Sequence, residues 1–503
     1  MAISFVDLLP PGPGDLDRRS SIVEFRSEYI LRAQLVAEKD SLGIGVVHSH
    51  PRGCGVGPSS LDDDMDAYFA EEFPAYTTGA PYVSLIFSCD VNREVYFSGR
   101  AFDRGTLLKV REILTVGQPL RRESSASTRT TAETREHSAH RVLRNLEGLN
   151  ARLQSLVGAT GAARLSSAKV AIVGCSGTGS PMAHTLVRAG IRTFVLIDPQ
   201  RLAPSNLERL HGSNALDLEK QPPPYKVAIV GRLIREIAPD AEVTRIVGNI
   251  LDEEVLDELL TCDLVLGCTD TQHSRVFLGD LASHYLLPSM DVGVRMRAKA
   301  GVLTEQVAEI AAYEPGYPCP HCQGRIDQAA LTEELIDDAE RIRRRHAAAE
   351  AEARGEDGRQ YWGGPAPQEM TVGYQTAAVA NLAAGYAIGW LTGASRIPHR
   401  RFQFDPGMPC LGVTPADGQH QSSCTCLSTL GRSDEARADR GVSRPNHWLP
   451  CIFVPEDVVN VWSRARFWLR KASVSCRKIP VPWRRCVRKA NQVGRKVTST
   501  LRR

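Results

Sequence analysis

Four apolar runs in the middle of the chain, KVAIVG (169–174), TFVLID (193–198), AEVTRIVG (241–248) and DLVLGC (263–268), alternate with stretches of helical periodicity. Such alternation predicts a parallel sheet wound with helices. Nearer the N-terminus the β-like runs are LGIGVVHSH (42–50), YVSLIFSC (82–89) and REVYFSG (93–99), separated by turn-rich segments, with helical stretches around 26–40 and 61–71. They predict a small α/β domain ahead of the larger one. Between the two lies RESSASTRTTAETREHS (122–138), which has no large apolar residue. A stretch that buries so little surface cannot offset its ordering entropy and reads as a linker. Residues 326–358 are dense in Ala, Glu and Arg, and the alternating charge of DDAERIRRRHAAAEAEAR favours a solvated helix over a buried element. An inserted hairpin or lid is the form this suggests. No tandem repeat is found.

Composition narrows the class without naming a function. The 503 residues are 42% hydrophobic, 24% charged and 6% aromatic, which excludes collagen-like, coiled-coil and wholly disordered chains. That length predicts two or three domains of ~100–200 residues. No run of ~18 consecutive apolar residues occurs, and MAISFVDLLPPGPGDLD carries acidic residues and Pro-Gly where a signal peptide has a basic stretch and an apolar core. A cytoplasmic location is expected. The cysteines number 13 and are scattered, so each reads as a buried hydrophobe, a metal ligand or a nucleophile rather than part of a disulfide framework. The net charge of +3 conceals an asymmetry: residues 451–503 carry 14 Lys/Arg against Glu456 and Asp457, and the remaining 450 residues sum to −9.

The strand-to-helix turn in KVAIVGCSGTGSPMAHTL places Gly174, Ser176, Gly177 and Gly179 where backbone amides at a helix N-terminus can hold phosphate. Asp198 ends the next strand, where a carboxylate can accept from ribose hydroxyls. These features alone imply a Rossmann-like nucleotide domain, NAD included. The following stretch, IDPQRLAPSNLERLHG, puts the amide of Asn206 and the guanidinium of Arg209 beside that site, and a redox cofactor has no need of them.

Together with Lys226, Asp270 and Arg275, the pattern resembles the ThiF-type adenylyltransferases, the family that includes ubiquitin-activating enzymes and the activators of sulfur-carrier proteins. The resemblance covers roughly residues 140–430 and rests on GCSGTGS, IDPQRLAPSNLERL, VLGCTDTQHSR (265–275), the strand MDVGV (290–294) and the closing helix QTAAVANLAAGYAIGWLTG (375–393). It implies an α/β fold: a Rossmann-like ThiF domain with a mixed or parallel sheet. It further implies that Asp198 holds the ribose of ATP, that Asn206, Arg209 and Lys226 hold the triphosphate, and that Asp270 holds Mg2+. Arg152 in NARLQSLVG matches the arginine that such enzymes insert into a partner subunit's ATP site, which implies a homodimer. In the implied reaction a carrier's C-terminal glycine carboxylate attacks the α-phosphate. Cations must then offset charge spreading over the phosphate oxygens, and no general base is required.

Two close cysteine pairs, Cys319-Pro-His-Cys322 in a Gly/Pro-rich turn and Cys424-Thr-Cys426, suit a tetrahedral Zn2+ site. Related adenylyltransferases hold zinc with cysteine pairs on either side of the closing helix, although the second pair here is CxC rather than CxxC. His321 is an alternative ligand. Residues 323–409 contain no cysteine where ubiquitin-activating enzymes often place their thioester-forming residue, a departure from that pattern. Cys410 and Cys175 are candidate nucleophiles, against the commoner outcome of a buried or constrained thiol.

In VVHSHPRGCGVGPSSLDDD, His48 and His50 stand two apart at a strand end, so both rings share one face, and carboxylates follow on a helix. Two imidazoles and a carboxylate make a zinc site with an open position. The segment resembles the JAMM (Mov34/JAB) metallo-isopeptidases, whose pattern is His-x-His-Pro followed by a serine and, three residues on, an aspartate. By that resemblance His48, His50 and Asp62 bind Zn2+ and Ser59 stabilises an oxyanion, with Asp63 and Ser60 as the alternative pair. The family's general-base glutamate would fall at or before Met1; Glu24 and Glu28 are the nearest candidates, so either the start is truncated or the hydrolase is inactive.

The expected organisation is a JAMM/JAB-like metal domain (1–121), a linker (122–138), a ThiF-like domain (139–435) and a basic tail (436–503) carrying Trp462, Trp468 and Trp483. Such a tail suits nucleic acid or an anionic membrane, or is a solvated extension. The whole reads as an enzyme that adenylates a ubiquitin-like or sulfur-carrier protein, with a fused zinc domain that trims or removes it and a conjugating enzyme as further partner. A catalytically impaired nucleotide- and zinc-binding scaffold is the alternative. An NAD-dependent oxidoreductase is a third reading, opposed by Asn206, Arg209 and Asp270.

Overall fold

The computed structural model describes residues 8–12, 14–19, 22–40, 42–51, 55–77, 80–89, 95–115, 121–125, 151–357, 371–395, 399–405, 414–415, 417–432 and 452–453. The N-terminal unit starts with a hairpin of β1 (Leu16–Arg19) and β2 (Ile22–Phe25), followed by α1 (Ser27–Asp40), β3 (Gly45–Ser49) and α2 (Ser60–Glu72). Next come β4 (Tyr82–Cys89), β5 (Val95–Asp103) and β6 (Thr106–Lys109), then a second hairpin of β7 (Glu112–Thr115) and β8 (Arg121–Ser124). Its main sheet has the order β3-β4-β5-β6, with β3 and β4 parallel and the rest antiparallel. Phe69, Phe73 and Tyr82 pack together where α2 meets β4. Glu112–Thr115 pairs with Arg121–Ser124, so the first residues of the stretch read as a linker form a strand, and 126–138 lie outside the described residues.

The larger unit runs α3 (Ala151–Ser167), β9 (Lys169–Val173), α4 (Gly179–Arg188), β10 (Thr193–Ile197), α5 (Ala215–Glu219), α6 (Lys226–Ile237) and β11 (Glu242–Val247). It continues with α7 (Glu253–Leu259), β12 (Leu264–Gly267), α8 (Gln272–His284), β13 (Ser289–Lys299) and β14 (Val302–Tyr313). The inserted α9 (Gln328–Leu335) and α10 (Asp338–Ala353) precede the closing helix α11 (Gly373–Thr392), β15 (Arg401–Phe404), β16 (Thr414–Pro415) and β17 (Ile452–Phe453). Among the described residues the sheet order is β16-β15-β14-β13-β12-β9-β10-β11-β17. The pairs within β13-β12-β9-β10-β11 are parallel and those outside it antiparallel, so this Rossmann-like sheet is mixed.

Burial on both faces explains the unbroken apolar runs, because successive strand residues point to opposite sides. Val170 and Ile172 join the core under α3, α4, α6 and α11, whereas Ala171 and Val173 join the one under α7 and α8. The closing helix is apolar nearly all round and ends at Gly393, whose φ of 75° is the left-handed cap that glycine adopts without strain.

Two further segments pack in ways the sequence pattern does not predict. Ala348 and Ala351 of α10 are buried, so the inserted pair is not wholly solvated, although α9 buries none of its residues. Ile452–Phe453 pairs antiparallel with the edge of β11, inside the span read as a separate tail; Trp462, Trp468 and Trp483 lie outside the described residues. Among the described residues no helix is long and apolar enough to cross a membrane.

Trp390 is fully buried in the α11 core, and Trp390→Ala is expected to destabilise the protein by about 3–5 kcal/mol, through lost transfer energy and the cavity left behind. Urea denaturation followed by far-ultraviolet circular dichroism measures it; a change under about 1 kcal/mol would contradict this packing.

Candidate functional site

The chain order reverses between β9 and β12, which pair with each other while β10 lies on the far side of β9. In open α/β sheets the crevice at such a switch point receives ligands. Gly174 leaves β9 with a φ of 90°, and a Cβ there would sit 2.5 Å from the Cys268 carbonyl oxygen at the end of β12. A Cβ on Gly179, which opens α4, would lie 2.0 Å from the Gly174 carbonyl oxygen. Backbone meets backbone at both places, so only glycine fits. Gly177 is less constrained: its Cβ would meet the Arg209 side chain, which can move. The hydroxyls of Ser176 and Thr269 flank this loop, buried and without a protein partner. Buried polar groups are normally satisfied, so two orphans beside a glycine loop suit a polar ligand.

Asp198, 5% exposed, accepts from the Cys175 and Gln200 amides, both at 2.8 Å. Burial pushes its carboxyl above the usual value, Lys226 counteracts this, and neighbouring Asp270 adds to the rise. Lys226 opens α6, is nearly buried, and donates to Gln200 Oε1 at 2.6 Å. Asn206 is buried and its Oδ1 accepts from the Ala203 amide at 3.1 Å, closing its own turn. Arg209 donates to the Thr371 carbonyl at 2.7 Å, just before the closing helix. Asp270 is exposed at the carboxyl end of β12, and Arg152 is exposed in the first turn of α3. Cys175 lies fully buried within the loop, and burial raises its thiol well above the ordinary value, which argues against a nucleophile. Cys410 lies outside the described residues.

Arg275 belongs elsewhere than the sequence grouping suggests. Its Nε donates to Asp291 Oδ2 at 2.7 Å, and Arg325 donates to the same oxygen. Arg325 also pairs with Glu309, which pairs with Arg401, and Arg401 donates to the Gln323 carbonyl. Asp291 and Arg325 are almost wholly buried. Burial alone would raise the Asp291 carboxyl, but Arg325 and Arg275 outweigh it and hold the group below its usual value. Sequence reasoning missed this cluster; its one signal was a carboxylate inside the apolar strand MDVGV.

The four cysteines come together. The Sγ atoms of Cys319 and Cys424 are 3.5 Å apart, and those of Cys322 and Cys426 are 3.9 Å apart. A tetrahedron with zinc–sulfur bonds near 2.3 Å has edges of about 3.8 Å, so the donor set fits Zn2+. Each cysteine of the CxC pair thus faces one of the CxxC pair. The Gln421 amide donates to Cys322 Sγ at 3.4 Å. Cys319 is raised by its hydrogen bond with Cys426 and by burial, and burial pushes Cys424 up to about 11; a bound cation would reverse both tendencies. His321 is outside the cluster, its ring facing the Gln328 amide at 3.2 Å.

In the N-terminal unit His48 and His50 project from the end of β3 towards the start of α2. His48 Nε2 lies 3.1 Å from Asp62 Oδ1, and His50 Nε2 lies 3.2 Å from Asp62 Oδ2. Ser59 is the N-cap of α2: its hydroxyl accepts from the Asp62 amide at 3.2 Å and donates to Asp62 Oδ2 at 2.7 Å. His50 Nδ1 faces the Gly55 carbonyl at 2.9 Å, which assigns the proton to Nδ1 and leaves Nε2 as the ligand atom. Burial lowers the His48 pKa, favouring the neutral ring. Asp63 turns away to pair with Arg100, so the alternative pair of Ser60 and Asp63 is not the one assembled. Among the described residues the cluster contains no glutamate, and Glu28 is exposed on α1; the side chain of Glu24 lies outside them.

The family model described as "ThiF family" matches residues 149–426. The adenylyltransferase and sulfurtransferase UBA4 of Candida glabrata is 26% identical over 167 residues, covering 33% of this chain and 36% of that protein. The sulfur carrier protein ThiS adenylyltransferase of Bacillus subtilis is 23% identical over 187 residues, 31% of this chain and 55% of that protein. The chain therefore spans less than two thirds of either relative. Among solved structures it is similar to MccB of E. coli, at 19% identity and a TM-score of 0.42 over 55% of this chain and 72% of that one.

Among the described residues, removing the Asp291 carboxylate leaves Glu309 as the one carboxylate beside the buried Arg325 and none beside Arg275, so Asp291→Asn is expected to cost about 3–5 kcal/mol at neutral pH. Because the folded-state pKa is depressed, this stabilisation is present above about pH 4 and is lost as pH falls through the folded value. Denaturation across that range should show the gap between wild type and variant narrowing below about pH 4; a constant gap would contradict the assignment.

Proposed function

The chain belongs to the ThiF family, and from that premise we propose that it adenylates the C-terminal glycine of a ubiquitin-like or sulfur-carrier protein with ATP. The observation that carries the reading is the convergence of Asp198, Lys226, Asp270 and the orphaned Ser176 and Thr269 hydroxyls on a glycine loop at the switch point. A redox site would use the loop and Asp198 alone.

In this reading Gly174, Ser176, Gly177 and Gly179 let the phosphates approach the backbone, and Asp198 accepts from the ribose hydroxyls. Lys226, Arg209 and Asn206 face the triphosphate: Lys226 and Arg209 exchange their present acceptors Gln200 and Thr371 for phosphate oxygens, and Asn206, whose Oδ1 keeps the Ala203 amide, offers its Nδ2 hydrogens. A carboxylate oxygen of the carrier attacks the α-phosphorus, the bond to the bridging oxygen breaks, and pyrophosphate leaves with that electron pair. Arg209 and Lys226 offset the charge that spreads over the phosphate oxygens. Mg2+, held by Asp270, would supply further charge neutralisation. Arg152 completes the site of a second subunit, so the working form is a homodimer. A conjugating enzyme receives the activated carrier.

The N-terminal unit is proposed as a JAMM-like zinc domain that recognises the same carrier. His48, His50 and Asp62 would hold Zn2+, which supplies an activated water when bound, and Ser59 supports Asp62 while facing a developing oxyanion. One observation favours a binding-only role for this half: among the described residues the cluster offers no carboxylate beyond Asp62. The four cysteines would hold a second, structural Zn2+.

ATP–pyrophosphate exchange with a panel of Gly-terminated β-grasp proteins tests the first half. Exchange dependent on one carrier and reduced roughly 100-fold or more in Arg209→Ala and Asp270→Ala is expected. ATP binding without exchange for any carrier would instead support a nucleotide-bound scaffold.

Metal analysis tests the second half. Cys319→Ser and His48→Ala are each expected to lose about one zinc per chain, independently of the other. Unchanged metal content in either variant would remove the corresponding site.

A further inference from the structure

The first turn of α8 begins immediately after Asp270, with Thr271 as its N-cap. A helix leaves its first amides without intrahelical partners and carries partial positive charge there, which acidic residues in the first turn commonly offset. This helix has none in its first turn. The missing carboxylate comes from the inserted helix instead. Glu334 of α9 accepts from the Gln272 amide with Oε1 at 2.9 Å and from the His273 amide with Oε2 at 2.8 Å. The Thr271 hydroxyl accepts the next amide, that of Ser274, at 3.3 Å.

A second tie joins the same elements. The Asp327 amide, at the start of α9, donates to Gln272 Oε1 at 3.2 Å, and Arg275 Nη1 donates to that same oxygen at 3.2 Å. The turn after Asp270 is thus clamped from two sides, by the inserted segment above and by the Arg275–Asp291 pair beneath. Since α9 buries none of its residues, these polar ties, rather than a hydrophobic face, fix its position against α8.

We infer that Glu334 is a positioning residue for Asp270. Its carboxylate closes the first turn of α8 from outside that helix, and so sets where the preceding Asp270 carboxylate stands at the nucleotide crevice. This rests on the adenylyltransferase reading, in which Asp270 holds Mg2+. It adds that the inserted helix pair is part of the metal-facing side of the site rather than a decoration on the surface.

The test uses the full-length protein and needs no carrier. ATP binding is measured by calorimetry over a Mg2+ series for wild type, Glu334→Gln and Glu334→Ala, alongside melting temperature and amide hydrogen exchange over residues 268–275. Expected for Glu334→Ala is a rise of roughly tenfold in the Mg2+ concentration for half-maximal ATP binding, the scale of a lost hydrogen bond to a charged group. Exchange at Gln272 and His273 should accelerate and the melting temperature fall by a few degrees, as for a lost helix cap, while Mg2+-free ATP binding stays at its wild-type value. Glu334→Gln, which keeps one acceptor oxygen, should fall between. An unchanged Mg2+ curve or unchanged exchange in Glu334→Ala overturns the positioning role. Equal loss of Mg2+-free binding overturns it in favour of general scaffolding. Wild-type protein that binds no ATP at any Mg2+ concentration overturns the adenylyltransferase reading itself, an outcome distinct from the others.

Discussion

One buried carboxylate organises the site end of the larger unit. Asp291 sits between Arg275, from the helix that follows Asp270, and Arg325, three residues after the first cysteine pair. Taking such charges out of water costs several kcal/mol per ion, and only complete pairing repays it. The strands therefore cannot slide, nor can the cysteine knuckle tilt, without breaking the arrangement. Glu309 and Arg401 extend the same network to β14 and β15. The crevice edge at Asp270 and the thiol cluster share one electrostatic anchor, although nothing in the chain order between them suggests it.

The parts legible in the sequence were those governed by local rules. Strands buried on both faces must be apolar throughout, so KVAIVG and its successors announced themselves. Gly174 and Gly179 were legible because backbone approaches backbone there, a constraint that admits one residue type. The cysteine pairs and the His48/His50 doublet were legible because two or three residues of spacing fix a shared direction. Partnerships made across long sequence separations were not. Arg275 reads as one more cation near phosphate until Asp291 is seen beneath it, and Glu334 reads as one charge among many on a polar helix. The strand Arg121–Ser124 was illegible for the same reason: so short and polar a strand exists only because Glu112–Thr115 is there to pair with it.

The two groups of candidate metal-ligating side chains differ in how they meet solvent. Cys319, Cys322 and Cys426 are nearly sealed, and backbone amides already address the sulfurs. His48, His50 and Asp62 remain partly open, with side-chain exposures of 31%, 17% and 14%. Closed sulfur sets belong to structural ions, and open imidazole–carboxylate sets leave room for an exchangeable ligand. The same chain thus carries both kinds of donor arrangement, each suited to its own unit.

Cys175 sits inside the glycine loop, between Gly174 and Ser176, fully buried and with its thiol pushed well above its ordinary value. Peroxide and disulfide reagents attack the thiolate, and burial withholds both that species and access to it. The loop therefore carries a sulfur without the vulnerability sulfur usually brings. Oxidants find no accessible thiolate at position 175, and a redox effect on the glycine turn would have to enter through another residue.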